Sequence, residues 1–332
     1  MLLIDALYVN NSGGKVLLDY LINKIEESKI DVYYLIDDRC FQSYQKVLRE
    51  DKVSYIKASV KNRKDFYIRN QEKFDTIFCF ANLAPPIKCT GKVFTYFHNL
   101  LLSEIPKNTP IKKAILLYAK RYFAKRIASN SSTYIVQTNY GKQSFTKCYG
   151  NYPTLVLPFY NDFDISEGIK KNNTFLYVSD GNPHKNHQRL LEAWEKINDR
   201  NSELRLTVSN AYPLVVEQIN KLKQKGFNVI NFQNLDRKEL NQIYAESEYM
   251  IYPSMLESFG LGLIEGALAG CKIIGSKLKY TTEVIETQYT FDEKNIDSIA
   301  STIENAKKDK NFSASKLIVN DQISQLIALL ST

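Results

Sequence analysis

A chain of 332 residues, 44% hydrophobic and 24% charged, is long enough for two domains that each bury a core, and its composition excludes a disordered or fibrous protein. The formal net charge of +8 favours an anionic partner; no recognition motif accompanies it, so nucleic acid is not expected as that partner. The opening MLLIDALYVN has Asp5 and no basic n-region, no apolar run reaches ~18 residues, and five cysteines (Cys40, Cys79, Cys89, Cys148, Cys271) fall at unrelated spacings, so we expect no signal peptide, no membrane-spanning helix and reduced thiols in a cytoplasmic protein.

In chain order, short β-branched and aromatic runs predict strands at Leu2–Val9, Asp31–Ile36, Val53–Ile56, Thr76–Phe80, Val93–Phe97, Thr133–Gln137 and Leu155–Leu157. Helices fall between them, notably Gly14–Glu27 and Ile111–Ser129. The second of these is crowded by Lys107, Lys112, Lys113, Lys120, Arg121, Lys125 and Arg126 interleaved with Ile115, Leu116, Leu117, Tyr118, Tyr122 and Phe123. Two readings suit that pattern: a helix lying on an anionic membrane, giving a peripheral protein on the inner face of the plasma membrane, or a solvated amphipathic helix. The alternation restarts with strand Thr174–Val178, helix Asn186–Ile197, strand Leu204–Val208, helix Leu214–Lys225, strand Val229–Phe232, helix Arg237–Glu246, strand Tyr249–Tyr252, helix Gly262–Ala269 and strand Lys272–Ile274.

Strands alternating with helices twice over predict an α/β protein of two Rossmann-like domains facing each other across a cleft. The domains are expected at 1–160 and 161–314, with the boundary near Pro158–Asn173. A terminal segment, 315–332, contains the amphipathic stretch Lys316–Leu330, which reads as a helix able to pack back on the first domain. Ligands of open α/β sheets bind beyond the carboxyl ends of the strands, so the chemistry is sought in the loops there.

The segment Tyr252–Ala267 places Glu257 and Glu265 eight residues apart on either side of the turn Ser258-Phe259-Gly260-Leu261-Gly262. A turn that follows a strand and opens a helix presents backbone N–H groups on which a diphosphate binds without a metal. Glu257 can then reach a sugar, and Glu265 a ribose diol; solvated helix-end glutamates are the plain alternative. Lys185, at the start of the helix after strand Thr174–Val178, is placed to neutralise a departing diphosphate. Asn11-Ser12-Gly13-Gly14-Lys15 joins the first strand and helix, where glycines allow close approach of an anion to a helix N-terminus; it is not a G-x-G-x-x-G fingerprint. His98 stands at the end of strand Val93–Phe97. Ser209 and Asn210, with Asn234 and Leu235, follow the next two strands of the second half, where a nucleotide base would lie.

Pro253, Ser254, Glu257, Phe259, Gly260, Leu261 and Glu265 match the P-S-x-x-E-x-F-G-L-x-x-x-E frame of glycosyltransferase family 4, and Pro183, Lys185 and Asn186 match its P-x-K-N stretch; here the sequence resembles that family of retaining GT-B enzymes. The resemblance implies that Glu257 faces the donor sugar, that Phe259 to Leu261 give amides to sugar and diphosphate, and that Glu265 holds the ribose. It also implies that His98 contacts the donor sugar and that Gly13 and Gly14 lie beside the donor phosphates and the acceptor. One departure is plain: the arginine usual five residues before the lysine is Asp180, so the second cation comes from elsewhere or is absent; Arg189 and Lys15 are candidates, and no pattern in the sequence singles out either.

The expected activity is metal-independent, retaining transfer of a hexosyl group from a UDP- or GDP-sugar to a glycan or polyprenyl-linked sugar in bacterial surface polysaccharide assembly. No cofactor is expected beyond that donor. The departure at Asp180 keeps a catalytically inactive or regulatory GT-B protein in view, and a sugar-nucleotide epimerase would share the scaffold. His184 and His187 lack further metal ligands around them, and Asp162-Phe163-Asp164, though a D-x-D, reads as a solvated loop in the linker.

Overall fold

A computed structural model of the chain describes residues 1–107, 109–161 and 168–331; Asp162, Phe163 and Asp164 lie outside the described residues. The chain divides into two compact units, Met1–Asn161 with Asn320–Thr332, and Asp162–Val319.

The first unit holds strands β1 (Leu2–Ala6), β2 (Val32–Asp37), β3 (Val53–Ile56), β4 (Thr76–Cys79), β5 (Lys92–Tyr96), β6 (Thr133–Val136) and β7 (Thr154–Val156). They form one parallel sheet in the order β3-β2-β1-β4-β5-β6-β7. Strands β1 and β4 are buried along their whole length, as a parallel sheet covered on both faces requires. A buried ion pair sits in that core. Asp5 of β1 accepts from Arg63 Nε and from Tyr67 OH, each at 2.7 Å, and Arg63 also donates to the carbonyls of Leu83 and Ala84 at 2.8 and 2.9 Å. The buried pair therefore anchors the loop that follows β4. The helix Ile323–Leu330 belongs to this unit, where it buries Ile323, Leu326 and Leu330. Asp321 ahead of it accepts from Tyr20 OH at 2.7 Å and from the Tyr160 amide at 3.2 Å.

The second unit holds β8 (Lys171–Tyr177), β9 (Glu203–Leu206), β10 (Val229–Asn231), β11 (Ser247–Tyr252), β12 (Lys272–Ser276), β13 (Ile285–Glu286), β14 (Tyr289–Phe291) and β15 (Lys316–Leu317). Six of these make a parallel sheet in the order β10-β9-β8-β11-β12-β14, while β13 and β15 pair antiparallel. Both main sheets thus share one order, outward from a first strand on one side and from a fourth strand on the other. The carboxyl ends of β1 and β4, and of β8 and β11, flank topological switch points, where open α/β sheets take ligands. These are the two Rossmann-like sheets expected from the sequence.

The expected helix over Lys316–Leu330 needs correction. Leu317-Ile318-Val319 is apolar and β-rich, and it extends a ladder instead: Lys316 and Leu317 form β15, and the Ile318 amide donates to Val284 O at 3.0 Å. The helix begins only at Ile323, whose amide donates to the Asp321 carboxylate at 3.2 Å. Between Ser276 and Lys316 the pattern names no element, yet the structure has helices Lys279–Val284 and Ile296–Lys308 with β14 between them. The latter helix is capped by Asn295, whose side chain accepts from the amides of Asp297 and Ser298.

Candidate active site

Two loops of the second unit meet at its switch point. After β8 the chain turns through Asp180 and Asn182 into a single 3₁₀ turn, Pro183–Lys185, and Asn186 takes a left-handed conformation, φ 63°, before the helix His187–Ile197. After β11 it passes Pro253 to Phe259, turns left-handed at Gly260 (φ 78°), and enters the helix Leu261–Leu268; glycine suits that turn because it carries no Cβ penalty there. Gly262 and Gly266 face β11, where a Cβ would come within 2.9 Å of Tyr252 Cε2 and 2.4 Å of Met250 Sδ. Their bareness lets the helix lie close on the strand, so its N-terminal amides sit at the strand's end.

The loops are tied to each other by hydrogen bonds. Met255 N donates to His184 O at 2.8 Å and Asn186 Nδ2 to Pro253 O at 3.1 Å, while Tyr177 OH, at the end of β8, donates to Lys185 O at 2.8 Å within the first loop. In consequence Lys185 Nζ meets Glu257 Oε1 at 2.7 Å, with side chains only 19% and 12% exposed. Glu257 Oε1 also accepts from Ser254 Oγ at 2.6 Å and from Tyr252 OH at 3.2 Å. Burial, and then the charge of Glu257, hold the Tyr252 phenol well above its ordinary range, so it serves that carboxylate as a donor.

Glu265, one turn into the helix and buried, is held on both oxygens. Arg237 Nη1 donates to Oε1 at 2.8 Å and Tyr244 OH to Oε2 at 2.7 Å. Burial and the Glu265 charge raise the Tyr244 phenol well above its usual range. Each carboxylate oxygen keeps acceptor capacity beyond one bond. The backbone of Ser258, Phe259 and Leu261 lines the turn between the two glutamates, with the Phe259 ring packed into the core. Ser209 and Asn210 lie half-buried and exposed at the end of β9, and Asn210 Nδ2 donates to Gln233 Oε1 at 3.2 Å. Asn234 and Leu235 follow Gln233, itself left-handed at φ 59°. Asn231 joins these two loops by bonding both the amide and the carbonyl of Val208, at 2.9 Å each.

Asp180 closes a local turn, accepting from Asn182 N at 3.1 Å and Asn182 Nδ2 at 2.7 Å. Arg189 Nη1 donates to Asn186 Oδ1 at 2.9 Å, and Lys15 pairs with Asp19 at 2.6 Å inside the first unit. His187 is buried against the Tyr177 ring, centroids 4.8 Å apart, and burial pushes its pKa down to about 3. Among the described residues no group of three or more His, Cys, Asp or Glu could hold a metal ion.

The switch point of the first unit carries the other expected residues. Gly13 and Gly14 fall in the first turn of the helix Ser12–Ser28, and the left-handed residue is Ser12, φ 54°. Gly14 is small because of what it faces: a Cβ there would stand 3.3 Å from His98 Cε1. His98 follows β5 with its amide donating to Asn82 Oδ1 at 2.7 Å and Nε2 3.0 Å from Phe80 O. A carbonyl only accepts, so this contact assigns the ring proton to Nε2, over the longer 3.3 Å approach of Asn82 Nδ2, and leaves Nδ1 an acceptor. Burial lowers the His98 pKa to about 4, which keeps the ring neutral. Gly14, Asn82 and His98 line a cavity of about 580 Å³ together with Leu117, Lys120 and Phe123.

Sequence reasoning therefore missed the residues that hold the others. Ser254 was visible in the P-S dipeptide, but nothing in spacing showed that its hydroxyl grips Glu257. Arg237, Tyr244, Asn82 and Arg63 carry no local signal, because they come from elements distant in sequence.

Residues 160–320 match the family model described as glycosyl transferases group 1. A Klebsiella pneumoniae protein described as an uncharacterized 41.2 kDa protein in the cps region is 23% identical over 281 residues, 80% of this chain and 73% of its own length. Among solved structures, sucrose-phosphate synthase from Thermosynechococcus elongatus superposes with a TM-score of 0.72 at 12% identity, over 100% of this chain and 94% of that one. Anabaena Alr3699/HepE, crystallised with UDP and glucose, gives 0.69 at 15% identity, over 99% and 94%. The stretch 160–320 is thus similar to the glycosyl transferases group 1 family, in a chain whose fold is that of the GT-B proteins it superposes on.

Proposed function

We propose that the chain transfers a hexosyl group from a nucleotide diphosphate sugar, with UDP the favoured carrier, to a hydroxyl of a glycan or lipid-linked sugar, with retention of anomeric configuration. The observation that carries the reading is the Lys185–Glu257 pair beside the amides that open the helix Leu261–Leu268. In the reaction the bond from the anomeric carbon to the diphosphate oxygen breaks, a bond to the acceptor oxygen forms on the same face, and the acceptor proton passes to the departing phosphate. Such a reaction needs a stabilised leaving group more than a strong nucleophile. Lys185 and the turn amides supply that stabilisation, so no metal is needed for the phosphates.

Donor binding exchanges partners. The diphosphate takes Lys185, and Glu257, still fixed by Ser254 and Tyr252, is released to accept from the sugar's hydroxyls. Glu265 accepts from the ribose diol, and in the first unit neutral His98 offers Nδ1 to a hydroxyl of the acceptor. The UDP and glucose of the Anabaena structure support the choice of carrier. The cps setting of the Klebsiella relative supports capsule or other surface polysaccharide assembly, where a lipid-linked acceptor would be met at a membrane surface. A second reading, nucleotide binding without turnover, is favoured by Asp180 alone.

The test is transfer itself. Labelled UDP-sugars are incubated with the chain and glycan or glycolipid fractions, and the product linkage is read by NMR. Product of the donor's own anomeric configuration, with release of UDP, is expected. Inverted product refutes retention, and donor binding with no product from any acceptor fraction supports the second reading.

A further inference from the structure

We propose that the outward face of the helix Ile111–Ile127 is a membrane-interface surface that beds into an anionic bilayer. Ile111, Ile115, Tyr118 and Tyr122 are 78%, 64%, 58% and 64% exposed. At 100° per residue they fall within about 60° of arc, on the side away from the buried Leu117, Ala124 and Ile127. The stripe is therefore not the face by which the helix packs on its own unit, and a contiguous exposed apolar row of this kind marks an interaction site.

Charge names the occupant. Between Ile105 and Asn161 the chain has nine Lys and Arg and no Asp or Glu, against a net +8 for the whole chain, so all of its excess positive charge lies in this stretch. Lys112 and Arg126 border the stripe on one edge and Lys125 on the other, and Arg126 Nη1 donates to Tyr122 OH at 3.2 Å. Protein interfaces deplete lysine at their centres, whereas isoleucine and tyrosine ringed by lysine and arginine suit a helix lying in the plane of an anionic membrane. The other flank of the same helix gives Leu117, Lys120 and Phe123 to the cavity that holds Gly14 and His98. A glycolipid acceptor whose head enters that cavity would keep its tail in the surface on which the helix lies; this last step rests on the glycosyltransferase reading, and the surface binding does not.

The experiment is co-sedimentation of the full chain with vesicles of phosphatidylcholine alone or with phosphatidylglycerol. The chain is expected to sediment with the anionic vesicles only, and Ile115→Asn with Tyr122→Asn to weaken partition about tenfold or more. Lys112→Gln with Lys125→Gln should weaken it and flatten its dependence on salt. No binding to anionic vesicles overturns the proposal, as does binding that the stripe variant leaves unchanged. Stripe-dependent self-association without vesicle binding overturns it too, in favour of a contact between copies. UDP titration of the same samples separates the two claims: UDP binding without vesicle binding removes only the membrane surface, and vesicle binding without UDP binding removes only the transferase reading.

Discussion

Replacing Lys185 by Ala tests the leaving-group argument with two opposed effects. A cation ~4 Å from a phosphate oxygen interacts by ~4 kcal/mol at an effective dielectric of about 20. Removing one donor of this kind from a developing oxyanion costs about 2.7–4 kcal/mol, or 10²- to 10³-fold in kcat. Against this, the free protein holds Lys185 on Glu257 at 2.7 Å, a bond that donor binding must break and that the variant lacks. The donor KM should therefore change far less than kcat. Glu257 keeps Ser254 and Tyr252 as donors, so the loss of stability should be about 1–3 kcal/mol, below the ~3–5 kcal/mol of a fully buried pair. The assay is UDP release at saturating donor beside a urea melt. A kcat within about threefold of wild type, under ~0.7 kcal/mol, would refute the role given to Lys185.

Ser254→Ala removes the 2.6 Å bond to Glu257 and should cut kcat roughly 10- to 100-fold, the worth of a hydrogen bond to a charged group, while Ser254→Thr restores most of it; equal loss in both variants would point to packing. Glu265→Gln should raise the donor KM about tenfold with little change in kcat, and the penalty should shrink with a 2′-deoxyribose donor; an unchanged KM for the ribose donor contradicts a ribose contact. Arg63→Ala strands Asp5 in the core and should cost about 3–5 kcal/mol in urea unfolding, with Asp5→Asn in the same chain recovering part of it. Burial lowers the pKa of His98 to about 4 and of His187 to about 3, so below ~6.5 the unfolded chain binds more protons than the folded one. Their contribution is complete above that pH and is lost as the pH falls toward 3–4; Tm should drop over this range, and less steeply in His187→Phe.

The fold was legible because both sheets are parallel and buried on two faces, which writes each strand as a short apolar run such as Thr76–Cys79, or Tyr249–Tyr252 within β11. Ends were less legible. Leu2–Val9 reads as one strand, but the Val9 amide turns back to Ala6 O, and Lys316–Leu330 reads as one helix because apolar residues at helical spacing do not show that Ile318 bonds Val284. The site divided in the same way. Lys185, Glu257 and Glu265 lie in short motifs fixed by a strand, a turn and a helix, which sequence displays. Their partners Arg237 and Tyr244 come from the helix Arg237–Glu246, and the support of His98 comes from Asn82 across two strand ends, so tertiary folding alone brings them together. Gly14 was legible as a small residue but not for its reason, the nearness of His98.

The central claim, a nucleotide-sugar site in the second unit, is tested most directly by calorimetric titration of UDP, GDP and ADP into the wild-type chain and Glu265→Ala, with EDTA present. We expect one nucleoside diphosphate, UDP, to bind the wild type in a one-to-one complex, and its affinity to fall about tenfold or more in the variant. No binding of any of the three, or equal binding to both proteins, would contradict the account.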